Sequence, residues 1–267
     1  MMKRIGIDAG GSLIKIAYEE DGRFHYWKYP LHEVQQLTNW LKMTAPEAKI
    51  YATGGKSGLI QSLLPDVILV DEFLSIAEGV RFFLKKEMRK TRERFILANI
   101  GTGTSIFYIH EGRYERITGT GIGGGTLLGL GHLLGGEKNF YHLVEMADKG
   151  NRKKVDMLVK DIYEQTRSPV ASELTAANFG KAILSNDYSR SDCLAALCQM
   201  IGETIFQMAS LAAELKHVDT LVFTGSTLDG NGVLKNLIGK FCEMNSYEVI
   251  FPEHGSYCGA IGAILAG

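Results

Sequence analysis

The chain carries one kind of turn twice. The stretch "IGIDAGGSLIKIAY" occupies 5–18 and "ILANIGTGTSIFYI" occupies 96–109. In each, an apolar run reaches a small polar side chain, Asp8 or Asn99, breaks at glycine and hydroxyl residues, and resumes as a β-rich run. A further β-rich segment follows each copy, "RFHYWKYP" and "RYERITG". Two copies of a three-strand meander mean two copies of one supersecondary unit. The expected fold class is therefore α/β with an internal duplication.

Between the copies the pattern supplies the other elements. Strands are expected over 3–8 and 12–19, and Pro30 ends the third. Leu31, Val34, Leu37 and Leu41 fall at helical spacing. "KIYATGG" reads as a buried strand, "KSGLIQSLL" as a short helix, "VILVDE" as a strand and "LSIAEGVRFFLKKEMRK" as a helix with a basic solvated end. The first ninety residues thus run β-β-β-α-β-α-β-α. The charged run "KKEMRKTRER" marks a domain boundary, giving domains over 1–92 and 93–267. In the second half a helix is expected at "GGGTLLGLGHLLGG", helical pieces through about residue 165, a loop near Pro169 and a long helix over 191–216. A strand at "TLVFTGSTL", a helix at "GVLKNLIGKFCEM", a strand at "YEVIF" and a small-residue helix at the end complete it.

Composition excludes several classes. There are 29 Lys and Arg against 30 Asp and Glu, a formal charge of -1, so electrostatics give no reason to expect a nucleic-acid or membrane partner. No apolar run reads as long enough to span a bilayer. Lys3, Arg4 and Asp8 interrupt any leader-like core, so a cytoplasmic location is expected. Cys193, Cys198, Cys242 and Cys258 show no Cys-x-x-Cys spacing and read as buried free thiols.

The chemistry lies in the glycine turns. Backbone N–H groups without a Cβ in front of them form a cradle for phosphate, and the hydroxyls of Ser12, Thr102, Thr104 and Ser105 add donors. Two such hairpins in a duplicated frame can face each other and hold the β- and γ-phosphates of one nucleotide. Asp8 ends the first strand, where an α/β sheet collects ligands; it either holds Mg²⁺ through water or bonds its own turn. Alternation places Lys15 on the face of Leu13 and Ala17, where it reaches a phosphate or faces solvent. "GGKSG" at 54–58 is not a P-loop, because Ile50 stands where that motif needs glycine. "GTGIGG" at 119–124 fits G-x-G-x-x-G, but a nucleotide-covering turn at a helix N-terminus explains it better.

"GIDAGGSLIK", "ANIGTGTS" and "FTGSTL" together resemble the two phosphate motifs and the adenosine motif of the acetate and sugar kinase, heat-shock chaperone and actin superfamily. With "TGGKSG", "VDEF", "GTGIGGGTLLGLG" and "LTAANFG" the whole chain resembles the bacterial type II pantothenate kinases of the staphylococcal kind. The resemblance implies two ribonuclease-H-like (actin-like ATPase) domains with mixed sheets and an ATP cleft between them. It implies ATP-dependent phosphorylation of pantothenate to 4′-phosphopantothenate, usually by a homodimer, and Mg²⁺ is the expected companion of ATP at Asp8.

Residue by residue, the resemblance assigns ATP binding to Asp8, Ala9, Gly10, Gly11, Ser12, Leu13, Ile14 and Lys15; the place of Asp8 at the end of its strand makes it the expected Mg²⁺ ligand. It adds Thr102, the stretch Gly124, Gly125, Thr126, Leu127 and Leu128, then Phe140 and Ser226. Tyr141 competes with Phe140 for the adenine. Glu72 matches the catalytic base and Arg116 an arginine of the substrate site. From the residues alone Asp71 competes with Glu72, since either can cap the helix that follows. The alternatives are a sugar kinase of the same superfamily or an actin-like nucleotide switch. The cysteine spacings argue against both a zinc-bearing sugar kinase and an iron–sulfur activase.

Overall fold

The computed structural model describes residues 4–88, 93–163 and 169–267. The first lobe opens with the meander β1 (Arg4–Ala9), β2 (Leu13–Glu20) and β3 (Arg23–Pro30). A short turn of 3₁₀ helix leads into α1 (Val34–Thr44), followed by β4 (Lys49–Thr53), α2 (Ser57–Leu63), β5 (Ile68–Leu69) and α3 (Glu72–Met88). The sheet order is β3-β2-β1-β4-β5, with β1 antiparallel to β2 and parallel to β4. The expected strand "VILVDE" shrinks to two residues. Asp71 stops it by turning its carboxylate onto the Leu74 N–H at 2.8 Å, so the helix starts at Glu72.

The second lobe repeats the plan with β6 (Arg94–Ile100), β7 (Thr104–His110) and β8 (Arg113–Thr120). Then come α4 (Gly124–Gly135), α5 (Phe140–Asp148), β9 (Met157–Leu158), α6 (Val159–Ile162) and β10 (Thr175–Ala177). They are followed by α7 (Arg190–Lys216), β11 (Thr220–Thr224), α8 (Gly232–Met244), β12 (Glu248–Ile250) and α9 (Cys258–Ala266). The sheet order is β12-β11-β6-β7-β8, and β9 pairs with β10 as a small flap. That flap has no counterpart in the sequence reading. The central residues of the boundary run, 89–92, lie outside the described residues, as does the expected end of the helical pieces near residue 165, of which α6 is the last described.

Each meander has a tight two-residue loop at its second turn. Asp21 and Gly22 have φ of 50° and 74°, Glu111 and Gly112 44° and 76°. These left-handed pairs match the twist of the flanking strands and fix their register: Glu20 faces Arg23, and His110 faces Arg113.

Side-chain alternation sorts the core into three layers. Ile5, Ile7, Ile14 and Ile16 on the outer face of the first sheet pack on α1 and α2. The outer face of the second sheet, with Ile96, Ile106 and Phe223, packs on α4, α5, α7 and α8. Between the sheets lie α3 and α9, joined to Phe95, Leu97, Phe107 and Tyr51. Burial of one such side chain, Phe83 for example, contributes about 1.5–3 kcal/mol.

The middle layer is packed backbone against backbone. A Cβ on Gly79 of α3 would strike the backbone of Cys258, one on Gly262 of α9 the backbone of Ser75, and one on Gly6 the carbonyl of Ala260. The C-terminal helix therefore sits on the N-terminal sheet, between the lobes. All four cysteines are buried free thiols, and burial pushes Cys198 and Cys242 up to about 12.

Contrary to the expectation from apolar runs, α7 is long and apolar enough to cross a bilayer by length and composition. Glu203 is the only charge between Cys193 and Ala213. In this fold 56% of its most apolar window is buried, as the central helix of the second lobe.

Gly262→Ala is expected to destabilise the protein by about 1–3 kcal/mol or more, because the obstacle is backbone and cannot rotate away. A urea melt measures it. A stability equal to wild type would contradict the central packing described.

Candidate active site

The lobes enclose a cleft of about 810 Å³ at the carboxyl ends of β1 and β6. Its floor follows from strand register. Asp8 pairs with Lys15 across β1 and β2, and Lys15 pairs with Lys28 across β2 and β3. One row of three side chains on one face therefore reads Asp8, Lys15, Lys28. The Lys15 ammonium lies 3.1 Å from Asp8 Oδ2 and is largely buried. Asp8 is closely boxed: a Cβ on Gly54 or on Gly259 would come within 2.8 Å of its carboxylate.

The same row in the second lobe reads Asn99, Ser105, Gly119. Thr224 donates its hydroxyl to Asn99 Oδ1 at 3.1 Å. A β-bulge at Ile117 shifts the register of β7 and β8, so Gly119 rather than Thr118 stands opposite Ser105. The vacated space takes the Arg116 guanidinium, which a Cβ at Gly119 would strike. Arg116 also lies over the Phe73 ring, 5.7 Å from its centroid.

The hairpin tips approach each other. The first is closed by Gly10 N–H donating to the Leu13 carbonyl at 3.0 Å, the second by Gly101 N–H to Gly103 at 2.8 Å. A Cβ on Gly11 would lie 3.2 Å from Thr102 Oγ1. The N-terminus of α4 is locked onto the second hairpin: Gly124 and Gly125 donate to the carbonyls of Gly101 and Thr102, both at 2.8 Å. Thr227 adds its hydroxyl to Gly101 at 2.9 Å. Those two α4 amides therefore brace the second hairpin from behind.

Glu72 and Asp71 part company at the start of α3. Asp71 accepts from Leu74 N–H and, at 3.1 Å, from the Tyr114 hydroxyl of the second lobe. Glu72 lines the cleft. Burial, then the charge of Asp8, raises its affinity for a proton above the ordinary carboxylate range, with Lys15 opposing and Asp71 adding a smaller push upward.

Of the residues singled out by sequence, Asp8, Gly10, Gly11, Ser12, Leu13 and Lys15 line the cleft, with Glu72, Thr102 and Arg116. So do Gly124, Gly125, Leu128, Phe140 and Ser226, and Tyr141 beside Phe140. Ala9, Ile14 and Leu127 are buried in the outer cores instead. Thr126 does not line it either; its hydroxyl donates to Gly121 at 2.8 Å. Sequence reasoning missed Lys28, although the Asp21-Gly22 turn would have placed it opposite Lys15. Burial and the neighbouring Lys15 pull the Lys28 ammonium down to about 8, and it pairs with Asp229 of the second lobe. No cluster of three or more metal-ligating side chains occurs among the described residues.

A duplicated meander and helix layer around an interlobe cleft defines the actin-like ATPase fold. The chain matches in full the activator of 2-hydroxyisocaproyl-CoA dehydratase from Clostridium difficile with bound ADPNP. That match has a TM-score of 0.65 at 16% identity and covers 94% of the activator. It also matches a ROK family glucokinase from Streptomyces griseus in complex with glucose and AMPPNP, at TM-score 0.55 and 13% identity over 99% of that chain. Residues 19–266 match the Fumble family model. A type II pantothenate kinase of Oceanobacillus iheyensis is 44% identical over 265 residues, 99% of this chain and all of the relative. One of Bacillus cereus strain G9842 is 41% identical over 270 residues, 99% of this chain and 98% of the relative. The chain belongs to the Fumble family, that of the type II pantothenate kinases.

The Glu72 environment predicts opposite effects on stability and rate. Its raised proton affinity makes its linked stability complete below the unfolded carboxylate value and lost as pH rises through the folded one. Glu72→Gln is expected to raise Tm at pH 7 but not at pH 4, and to lower kcat about 10²–10⁴-fold, the range for a lost general base. Asp71→Asn is expected to cost about 1 kcal/mol of stability and to leave kcat near wild type. Full turnover by Glu72→Gln with an inactive Asp71→Asn would reverse the assignment.

Proposed function

We infer that the protein transfers the γ-phosphoryl group of ATP to the primary hydroxyl of pantothenate, giving 4′-phosphopantothenate and ADP, the first step towards coenzyme A. The observation that carries this is the match to type II pantothenate kinases over nearly the whole chain. The cleft agrees with it: two glycine hairpins converge in the cleft that Glu72 lines, and the Glu72 carboxylate is not engaged as a helix cap.

Phosphoryl transfer asks a protein mainly for position and for countercharge. The amides of the first hairpin and the Thr102 hydroxyl are offered to the phosphates, with Lys15 supplying positive charge. Phe140 or Tyr141 and the turn at Ser226 receive the adenosine. Glu72 accepts the hydroxyl proton as the pantothenate oxygen attacks phosphorus and the bond to the β-phosphate oxygen breaks. Its raised proton affinity suits that role, since a base must hold the proton it takes. Arg116 offers a planar fork to an anionic group of the substrate or the transferring phosphate.

Mg²⁺ fits here in one way. Asp8 is the carboxylate at the hairpin base, and a hard ion that keeps its water needs only one carboxylate beside nucleotide phosphates. The ion would neutralise charge on the phosphates. A homodimer, a cytoplasmic location, no nucleic-acid or membrane partner and domains divided near residue 92 are part of the same proposal. In that division α9 returns from the second domain to pack on the first.

ATP consumption is expected to depend on pantothenate in a coupled assay with glucose and N-acetylglucosamine as competitors. Acceptor-independent hydrolysis, or preference for a sugar, would defeat the reading. Gly101→Val is expected to stay folded, since the nearest atom to a Cβ there is 3.9 Å away, yet to lose ATP affinity in calorimetry.

A further inference from the structure

Lys28 and Asp229 meet across the cleft although 201 residues separate them. Lys28 stands on β3, at the end of the charged row of the first lobe. Asp229 directly follows the turn Ser226–Leu228 of the second. Both side chains are about three-quarters buried, with relative exposures of 25% and 27%. The Lys28 ammonium also lies 5.3 Å from the centre of the Tyr257 ring.

Asp229 is held on a firm base. Gly230, at φ 66°, packs under the Tyr141 ring so closely that a Cβ would come 2.8 Å from it. Asn231 is fully buried and caps α8 through Leu234 N–H at 3.0 Å. The carboxylate thus projects from the segment that carries the adenosine side of the cleft. Lys28 is equally fixed, being in register with Lys15 and through it with Asp8.

We propose that the Lys28–Asp229 pair is a tie between the lobes that sets the spacing between the first phosphate hairpin and the Ser226–Leu228 turn, so that both engage one ATP molecule. Lys28 is then a positioning residue. Its charge is engaged by Asp229, while Lys15 is the ammonium at the base of the hairpin. Removing either partner leaves the other charge half-desolvated and unpaired, which favours opening of the cleft to water. The tie rests on the reading of the cleft as an ATP site.

A double-mutant cycle tests it with the full-length protein and the non-hydrolysable analogue ADPNP, titrated without pantothenate. Lys28→Met, Asp229→Asn and the double variant are each expected to weaken binding about tenfold, and by similar amounts, since coupled residues do not add. In steady state KM for ATP rises by the same factor, while kcat and KM for pantothenate change much less. Lys28→Arg, which keeps the charge, is expected to bind nearly as wild type, and it serves with Asp229→Asn if Lys28→Met fails to fold. Three results overturn the tie: loss in Lys28→Met with wild-type affinity in Asp229→Asn, which makes Lys28 a direct phosphate ligand; losses that add in the double variant; or no loss in either. A wild-type protein that binds the analogue but does not phosphorylate pantothenate would refute the proposed activity and leave the cycle readable.

Discussion

The close packing of α3 on α9 is the constraint on which the rest depends. Gly79 and Gly262 let the two helices touch through their backbones, and Gly6 lets α9 press against β1. Each helix then starts at the cleft. Glu72 opens α3, and Gly259 in the first turn of α9 lies against the Asp8 carboxylate. The surroundings of the two acidic groups, and with them the burial and then the Asp8 charge that raise the proton affinity of Glu72, are set by helices whose contacts cannot relax by side-chain rotation. Rigid elements hold catalytic groups more accurately than loops do.

The two lobes share a frame and divide the chemistry. In the first, the row at the sheet end is Asp8, Lys15, Lys28; in the second it is Asn99, Ser105, Gly119. One row supplies charge, the other small neutral groups and space. The space is needed because Arg116 comes from the second lobe and its guanidinium must lie over Gly119. A bulge of one residue achieves that without disturbing the Glu111-Gly112 turn, from which the register of Arg116 opposite Phe107 is counted.

Much of this is written locally in the chain. The duplicated meander, the two glycine hairpins and the long helices follow from period and turn chemistry, which act over a few residues. Lys28 was legible too, because a two-residue Asp-Gly loop fixes register and so pairs residue 15 with residue 28. Other features are not local. The shortening of "VILVDE" depends on Asp71 finding the Leu74 amide and a tyrosine 43 residues away. The return of α9 to the first sheet depends on glycines in three separate segments. The flap of β9 and β10 pairs segments too short for any alternation to declare.

Charge in the cleft explains why its parts must act together. Asp8 and Glu72 repel each other, and Lys15 relieves both. Lys15 in turn stands beside Lys28, whose ammonium is pulled down to about 8 by burial and by that neighbour. The second positive charge therefore requires a counterion, and within the row none remains, since the one carboxylate there is Asp8. Asp229 supplies it from the other lobe. The electrostatic balance of the first lobe's row is thus completed by a side chain of the second lobe, which ties the charge in the cleft to the placement of the two lobes.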